Sequence, residues 1–219
     1  RPLLAPELET VFLGGGTPTF TEPGELRRLL DALPAAAEVT VEANPETVTP
    51  ELAALLREGG VTRVSLGAQT FDSELLQVLE RVAGPDDVRR AFYYLRDAGF
   101  ASVNFDLMYG LPAQTRDSVA RTARQAAQLA PDRIAVFGYA HVPWFKKHQK
   151  MIDEAELPGV AERYHQAVTI EEELCGAGYA AIGLDHFALP HDELTIAAGN
   201  RALRRNFQGY TTDVADALL

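Results

Sequence analysis

The sequence is poor in cysteine, with a single one, Cys175, among its 219 residues. One thiol cannot form an intrachain disulfide, and it cannot supply a metal site built from cysteines alone. Cys175 also falls inside a predicted helix, where we expect it to be buried. The sequence therefore excludes a disulfide scaffold, and it excludes an all-cysteine metal centre held by this chain alone.

Positive charge and long apolar runs are also scarce. Lys and Arg number 20 against 31 Asp and Glu, which gives a formal net charge of -11 and a sequence pI near 4.9. Such a surface repels phosphates, so it argues against a nucleic-acid partner. The sequence has no run of about 18 apolar residues, the length that could span a bilayer. The first residues lack the pattern of a signal peptide, so we expect a cytoplasmic protein.

What the sequence does contain is a repeated alternation of short apolar runs and longer helical stretches. The predicted strands are 10–13, 39–41, 63–66, 103–108, 133–139 and 179–184. The predicted helices between and after them are 23–33, 50–57, 73–80, 85–98, 115–129 and 159–177. Repeated strand–helix units predict an α/β fold with a parallel sheet in one domain over 1–219, either an open doubly wound sheet or a barrel.

Polar or glycine-rich turns follow nearly every predicted strand. They are Gly-Gly-Gly-Thr-Pro at 14–18, Glu-Ala-Asn-Pro at 42–45, Gly-Ala-Gln-Thr-Phe at 67–71, Tyr-Gly-Leu-Pro at 109–112 and Ala-His-Val-Pro-Trp at 140–144. Glycine and proline are ordinary turn residues, which is the simpler interpretation of any one turn. Five such turns on one rim favour a binding site, because ligands of these folds lie at the carboxyl ends of the strands.

The first of these turns does not match a known phosphate-binding loop. No Gly-Lys-Ser/Thr follows it, so it is not a Walker loop, and Thr19 occupies the third glycine position of a dinucleotide fingerprint. Glycines have no Cβ, so a ligand can approach their backbone closely. Their carbonyl groups suit an ammonium group better than an anion.

The order of the motifs resembles that of the radical S-adenosylmethionine (SAM) enzymes of haem biosynthesis. The motifs are Gly-Gly-Gly-Thr-Pro-Thr at 14–19, Val-Glu-Ala-Asn-Pro at 41–45, Ser-Leu-Gly-Ala-Gln-Thr-Phe at 65–71 and Asn-Phe-Asp-Leu-Met-Tyr-Gly-Leu-Pro at 104–112. Three later stretches, 139–144, 183–188 and 206–212, are similar to the oxygen-independent coproporphyrinogen III oxidases of that superfamily. Haem chaperones of the same superfamily share the first set of motifs and are the alternative.

The resemblance implies a partial TIM-like (β/α)6 barrel and an oxidoreductase. In that family a 5'-deoxyadenosyl radical made from SAM drives decarboxylation of two propionates of coproporphyrinogen III to vinyl groups. A 4Fe-4S cluster on a CxxxCxxC loop, two SAM molecules and an electron donor are also implied. Neither the loop nor the family's full carboxyl-terminal part is present here. We therefore expect a piece of a longer protein that is inactive alone.

The resemblance also implies roles for individual residues, although it assigns none a catalytic role. Gly15 and Glu42 match contacts of the first SAM. Contacts of the second SAM match Gly16, Thr17, Gln69, Arg81, Asp106 and Ala140. These residue types suit the chemistry, because carboxylates can bind an ammonium or hydroxyl group and arginine can bind a carboxylate through two N–H groups. We expect weak SAM binding even without the cluster.

Histidines, aromatic residues and cations outside these motifs are weaker candidates for substrate contacts. The candidates are His141, Trp144, Lys147, His186 and Arg204. Trp144 and Lys147 belong to segment 144–150, which is either a solvated helix start or a lid whose lysines attract propionates. A metal at His141 and His148, or at Asp185, His186 and His191, would lack an established ligand spacing, so we expect no metal here.

Overall fold

The computed structural model describes residues 8–206 and 209–215, and a seven-stranded curved sheet forms its centre. The strands in chain order are β1 Leu8–Leu13, β2 Ala36–Ala43, β3 Arg63–Gln69, β4 Ser102–Tyr109, β5 Arg133–Gly138, β6 Ala180–Gly183 and β7 His186–Ala188. Strands β1 to β5 are parallel neighbours, and β7 pairs antiparallel with both β5 and β6. A separate two-stranded hairpin consists of β8 Arg204–Arg205 and β9 Tyr210–Thr211.

Helices connect the strands and cover the outer face of the sheet. They are α1 Pro23–Asp31, α2 Pro50–Glu58, α3 Ser73–Val78, α4 Pro85–Asp97, α5 Arg116–Leu129, α6 Val160–Gly176 and α7 Glu193–Gly199. Local signals explain their starts. The Thr49 side chain accepts from the Leu52 N–H, Pro50 occupies the first turn, and the Thr115 side chain caps α5 in the same way.

Alternation along the strands separates an apolar face from a polar one. Val64, Leu66, Val103, Phe105 and Ile134 are fully buried in the layer between sheet and helices. The residues between them point to the concave face, where Arg63, Ser65, Asn104, Asp106 and Arg133 line a cavity. Because successive side chains of a strand point to opposite faces, one strand serves both the core and the site.

The α/β half-barrel class is confirmed, but the expectation of an entirely parallel sheet is wrong at one edge. The predicted strand at 179–184 is β6, and β7 lies between it and β5. Leu184 and Asp185 connect β6 to β7 as a tight hairpin, with φ values of 148° at Gly183 and 43° at Leu184. Helix α7 and the β8–β9 hairpin were not predicted either.

Cys175 is exposed on α6, so the expectation that it is buried was wrong. The helix turns Gln166, Ile170 and Leu174 toward the protein interior, and Cys175 follows them on the outer side. Partial desolvation, with the nearby charge of Glu171, still raises the pKa of the thiol.

Some of the sequence predictions fall on parts that the structure does not describe. These are the first seven residues, which were examined for a signal peptide, and residues 207–208 of the stretch 206–212. The side chain of His148 is also outside the described part. Over the ranges that are described, no helix has both the length and the apolar character that a membrane crossing requires.

Candidate functional site

A cavity of about 620 Å³ occupies the concave face of the sheet. Glu42, Ser65 and Asp106 line it toward the carboxyl ends of β2, β3 and β4, and His186 lines it from β7. Register explains their proximity, since Glu42 lies opposite Ser65 and Asp106 lies opposite Ala135, which in turn faces His186. The carboxyl-end edge therefore presents several polar groups to one space.

The glycine turn after β1 folds directly onto Glu42. The Gly15 N–H donates to Glu42 Oε2 at 3.2 Å. A Cβ at Gly14 would lie 3.0 Å from the Glu42 carboxyl group and 2.5 Å from the Phe12 ring, so any other residue there would displace one of these side chains. Gly15 and Gly16 have φ values of 82° and 64°, which glycine adopts readily, and open space surrounds both. The turn thus presents bare backbone beside a carboxylate.

Asp106, which lines the cavity, has a strongly shifted pKa. Its pKa is raised to about 7, chiefly by burial; a hydrogen bond from Ser65 opposes the rise, and the negative charge of Glu42 adds to it. Ser65 Oγ donates to Asp106 Oδ2 at 3.1 Å. Two carboxylates thus flank one hydroxyl, and a cationic ligand would favour the ionised form of Asp106. Ser65 was not a candidate, although its position two residues after Arg63 places it on the inward face.

Gln69 ends β3 in a strained backbone conformation. Its φ is 63°, in the left-handed region, and the ladder between β3 and β4 shifts register between Leu66 and Gln69. Left-handed backbone is costly for residues other than glycine, and such strain persists mainly where the surroundings hold it, often at functional sites. The register shift and the left-handed residue therefore coincide at the carboxyl end of β3.

The side chains around Gly67 bring two of the predicted SAM contacts together. A Cβ at Gly67 would lie 3.1 Å from Gln69 Nε2, 3.3 Å from Arg81 Nη2 and 3.6 Å from Asn44 Oδ1. Arg81 Nη2 donates to the Gly67 carbonyl at 3.1 Å, and Asn44 Nδ2 donates to Thr17 Oγ1 at 3.2 Å. Asn44 therefore links the glycine turn to the end of β2. It was quoted in a motif but was not among the candidates.

Ala140 follows β5, and a buried glutamine holds it in place. Gln149 Nε2 donates to the Ala140 carbonyl at 3.0 Å, and its Oε1 accepts from the Val142 N–H at 2.6 Å. In the same loop His141 Nε2 lies 3.3 Å from Glu154 Oε1. The backbone at Ala140 is thus fixed at the rim, as a contact made through the main chain requires.

The substrate candidates lie in different places. His186 lines the cavity, whereas His141, Trp144, Lys147 and Arg204 do not. Trp144 is 80% exposed, and Lys147 and Arg204 are also exposed. Segment 144–150 is a turn followed by a short 3-10 helix, Lys147–Met151. Of the five candidates, the structure brings only His186 to the same space as Glu42 and Asp106.

The architecture defines the class of protein: parallel strands curl into half a barrel and direct a bare glycine turn, two carboxylates, an amide and a guanidinium toward their carboxyl ends. The sequence pattern of the Radical SAM superfamily matches residues 3–126. The chain belongs to this superfamily.

Relatives with assigned names indicate which enzymes of the superfamily this chain is similar to. The oxygen-independent coproporphyrinogen III oxidase of Bradyrhizobium diazoefficiens is 46% identical over 219 residues, covering 97% of this chain and 49% of the relative. The enzyme of the same name from Pseudomonas aeruginosa is 42% identical over 213 residues, covering 94% and 46%. The solved structure of coproporphyrinogen III oxidase from Escherichia coli, a radical SAM enzyme, matches with a TM-score of 0.90 and 36% identity, over 95% of this chain and 49% of that one. The chain spans about half the length of these relatives.

The two cofactors that the superfamily implies differ in how well they fit this chain. The carboxylates, the guanidinium and the open glycine turn suit the ammonium, carboxylate and sulfonium groups of SAM. A 4Fe-4S cluster needs several cysteine thiolates, and Cys175 is a single thiol on the outer helix α6. Across the described ranges, no group of three His, Cys, Asp or Glu side chains could hold a metal ion. The residues present fit SAM and do not fit the cluster.

Proposed function

We propose that this chain is the SAM-binding and substrate-binding half-barrel of a cytoplasmic oxygen-independent coproporphyrinogen III oxidase. The intact enzyme would convert two propionates of coproporphyrinogen III to vinyl groups and form protoporphyrinogen IX in haem biosynthesis. The observation that carries the proposal is the meeting of Glu42 and Asp106 across Ser65 at the carboxyl-end edge, in a chain 46% identical to an enzyme of that name.

Two SAM molecules are part of the proposal, and each is assigned its own set of residues near the carboxyl ends of the strands. Gly15 and Glu42 hold the first molecule, because the turn lets its amino group approach the backbone and the carboxylate. The second molecule lies against Gly16, Thr17, Gln69, Arg81, Asp106 and Ala140. Arg81 uses one nitrogen on the Gly67 carbonyl and has further N–H groups for the SAM carboxylate. Bound SAM supplies the 5'-deoxyadenosyl group that this superfamily uses as its oxidising group.

The proposal assigns the iron-sulfur cluster to residues other than these 219, since one cysteine cannot hold it. The electron donor is likewise a separate component. This chain on its own is therefore inactive in the oxidation, although its SAM-binding side chains are present. For the substrate, the lysines of segment 144–150, with His141, Trp144 and Arg204, are assigned to the approach of a tetracarboxylate to the rim.

SAM binding tests the site directly. Titration calorimetry of this chain with SAM is expected to show binding that a Gln69→Ala, Asp106→Ala double variant weakens at least tenfold, since it removes two of the side chains assigned to the second molecule. Arg27→Ala is the control, because Arg27 pairs with Glu58 on the far side of α1 and α2. Identical binding by the double variant and the control would overturn the assignment of the site.

The reaction is tested on the intact protein that carries this chain, reconstituted with its cluster and assayed without oxygen. Coproporphyrinogen III and SAM should yield two vinyl groups per macrocycle with loss of carbon dioxide. Stable haem binding without vinyl formation would instead assign the protein to the haem chaperones of the superfamily. The SAM titration tests the assignment of the binding site, and the anaerobic assay tests the proposed reaction, so each can fail independently of the other.

A further inference from the structure

His186 lies on the concave face of the sheet, across from the carboxylates of the site. It is the first residue of β7 and pairs in register with Ala135, which pairs with Asp106. Two strand spacings therefore separate His186 from Asp106, about 10 Å. Both side chains line the same cavity. The imidazole is thus part of the site, at the same level along the strands as Asp106 and two strands away from it.

The imidazole carries an unexplained polar atom. His186 Nδ1 is buried and has no hydrogen-bond partner, and it is the sole side-chain nitrogen or oxygen of which this holds in the described part of the chain. Phe137 and Tyr210 pack edge-on against the ring, with centroids 6.2 Å and 5.4 Å away. Buried polar atoms almost always have a partner, so such an exception requires a reason.

The environment favours the neutral form of the ring. Burial lowers the pKa of His186, Arg205 and Arg133 lower it further, and Asp185 opposes them. A neutral imidazole has one N–H donor and one bare acceptor nitrogen. Buried N–H groups without an acceptor are rarer than buried acceptors without a donor, so we assign the hydrogen to Nε2. Nδ1 is then an acceptor that lacks a donor.

We propose that His186 contacts the substrate and accepts a hydrogen bond through Nδ1 from a pyrrole N–H of a reduced tetrapyrrole. The inference rests on the proposed function and deepens it. Phe137, which is 42% exposed on the same face, and Tyr210 supply aromatic walls for the macrocycle. The cavity volume of about 620 Å³ lies in the range of small-molecule sites. The propionates then point toward the carboxyl-end edge, where SAM is assigned.

Nδ1 is covered by protein in the described arrangement, so binding in this manner requires a neighbouring group to move; we assign this movement to Tyr210, whose ring packs edge-on against the imidazole. Tyr210 belongs to the β8–β9 hairpin, whose ladder consists of the pairs Arg204 with Thr211 and Arg205 with Tyr210. Its hydroxyl would lie 2.6 Å from a Cβ at Gly183, so it rests directly on glycine backbone.

The test measures binding of coproporphyrinogen III to the intact, cluster-loaded protein without SAM, so that no turnover occurs. Equilibrium dialysis under reducing conditions, followed by oxidation of the ligand to coloured porphyrin, gives the Kd. His186→Phe should raise the Kd about tenfold, and His186→Gln, which keeps an acceptor, should recover part of the loss. His165→Phe on the exposed side of α6 is the matched control and should leave the Kd unchanged. In turnover with SAM, His186→Phe should raise KM and change kcat little.

The tetramethyl ester of the same ligand identifies the group that His186 contacts. If Nδ1 accepts from a pyrrole N–H, His186→Phe weakens binding of the ester and of the free acid by the same factor. A penalty that disappears with the ester would show a carboxylate contact and overturn the proposal, as would an unchanged Kd in both His186 variants. A wild-type protein that neither binds the macrocycle nor forms vinyl groups would overturn the proposed function itself. Wild-type turnover with unaffected His186 variants would remove this inference alone.

Discussion

The two ends of the concave face differ in whether their charged side chains form ion pairs. Toward the carboxyl ends of the strands, Glu42 and Asp106 have no ion pair with any Lys, Arg or His in the described part of the chain, and Asp106 has a pKa raised to about 7. Toward the amino ends, Arg63 and Arg133 are surrounded by carboxylates. The same strands serve both ends, since Arg63 and Ser65 are two residues apart on β3.

The amino-end cluster satisfies its charges from several elements. Arg63, which is 5% exposed, donates to Glu38 at 3.1 Å, to Asn104 at 3.1 Å and to Glu193 at 3.2 Å. Arg133 Nε donates to both carboxylate oxygens of Asp192, at 3.0 and 2.9 Å. Asp192 also caps α7, so the cluster fastens that helix under the sheet. Buried cations that are paired in this way hold structure, and unpaired carboxylates are left for a ligand.

The largest effect on stability should come from removing an arginine from the amino-end cluster, where the charges are paired. Arg63→Met is expected to lower the free energy of unfolding by about 3 kcal/mol, because it leaves Glu38 and Asn104 without their buried donor. Urea unfolding at pH 7 measures the loss. Arg27→Met, which breaks the exposed pair with Glu58, should cost less than about 1 kcal/mol. Equal losses in the two variants would contradict the distinction between the ends.

Removing a charge at the carboxyl ends of the strands, where the carboxylates are unpaired, should instead raise the free energy of unfolding. The pKa of Asp106 in the folded chain is about 7, above its ordinary value of 3.8, so the folded state favours the protonated acid and loses stability as pH rises through this range. Asp106→Asn should therefore raise the free energy of unfolding more at pH 8 than at pH 5, by about 2 kcal/mol, because the wild type loses stability between these two pH values. Urea unfolding at both pH values measures this.

Asp97→Asn provides the control for that pH dependence, since Asp97 is an exposed residue of α4. Its unfolding free energy should follow the wild type at both pH values. A gain at pH 5 as large as that at pH 8 in Asp106→Asn would show that the carboxyl group is not held protonated by its surroundings.

A smaller effect is expected when one charge is removed at each end of β2. Glu42→Gln keeps an oxygen for the Gly15 N–H but removes the charge, so SAM should bind about tenfold more weakly while stability changes little. Glu38→Gln, four residues earlier on the same face, should leave SAM binding unchanged and lower stability. Calorimetric titration with SAM and urea unfolding of both variants separate the two outcomes. Similar SAM affinities in the two would remove the assignment of Glu42.

The smallest effect concerns strain at the site. Gln69→Gly should relieve the left-handed backbone and raise the free energy of unfolding by about 1 kcal/mol, while it weakens SAM binding. Ala130→Gly is the matched control, because Ala130 has φ of 53° at the end of α5 and is remote from the site. It should give the same gain in stability with unchanged SAM affinity. A loss of stability in Gln69→Gly would show that the side chain, not the strain, dominates at this position.

Much of the fold was predictable because its signals are local. Caps and prolines at Thr49 and Pro50 start α2, and β-type apolar runs mark the five parallel strands within a few residues of their observed bounds. Glu42, Gln69 and Asp106 were predicted from the rule that ligands lie at the carboxyl ends of strands, and the structure brings Glu42 and Asp106 together there. The other SAM contacts were implied by the family resemblance. Ser65 and Asn44 were missed because a hydroxyl and an amide at strand ends resemble ordinary turn residues.

The sequence by itself therefore determined the order of elements, the alternation of apolar and polar faces, and the polar groups at the strand ends. The tertiary structure alone decided that β7 inserts antiparallel between β5 and β6, that Glu193 meets Arg63 across 130 residues of chain, and that His186 lies against Tyr210 with Nδ1 unpartnered. Local patterns depend on residues a few positions apart, whereas these contacts depend on strand register and on the closing of long loops, which neighbouring residues do not encode.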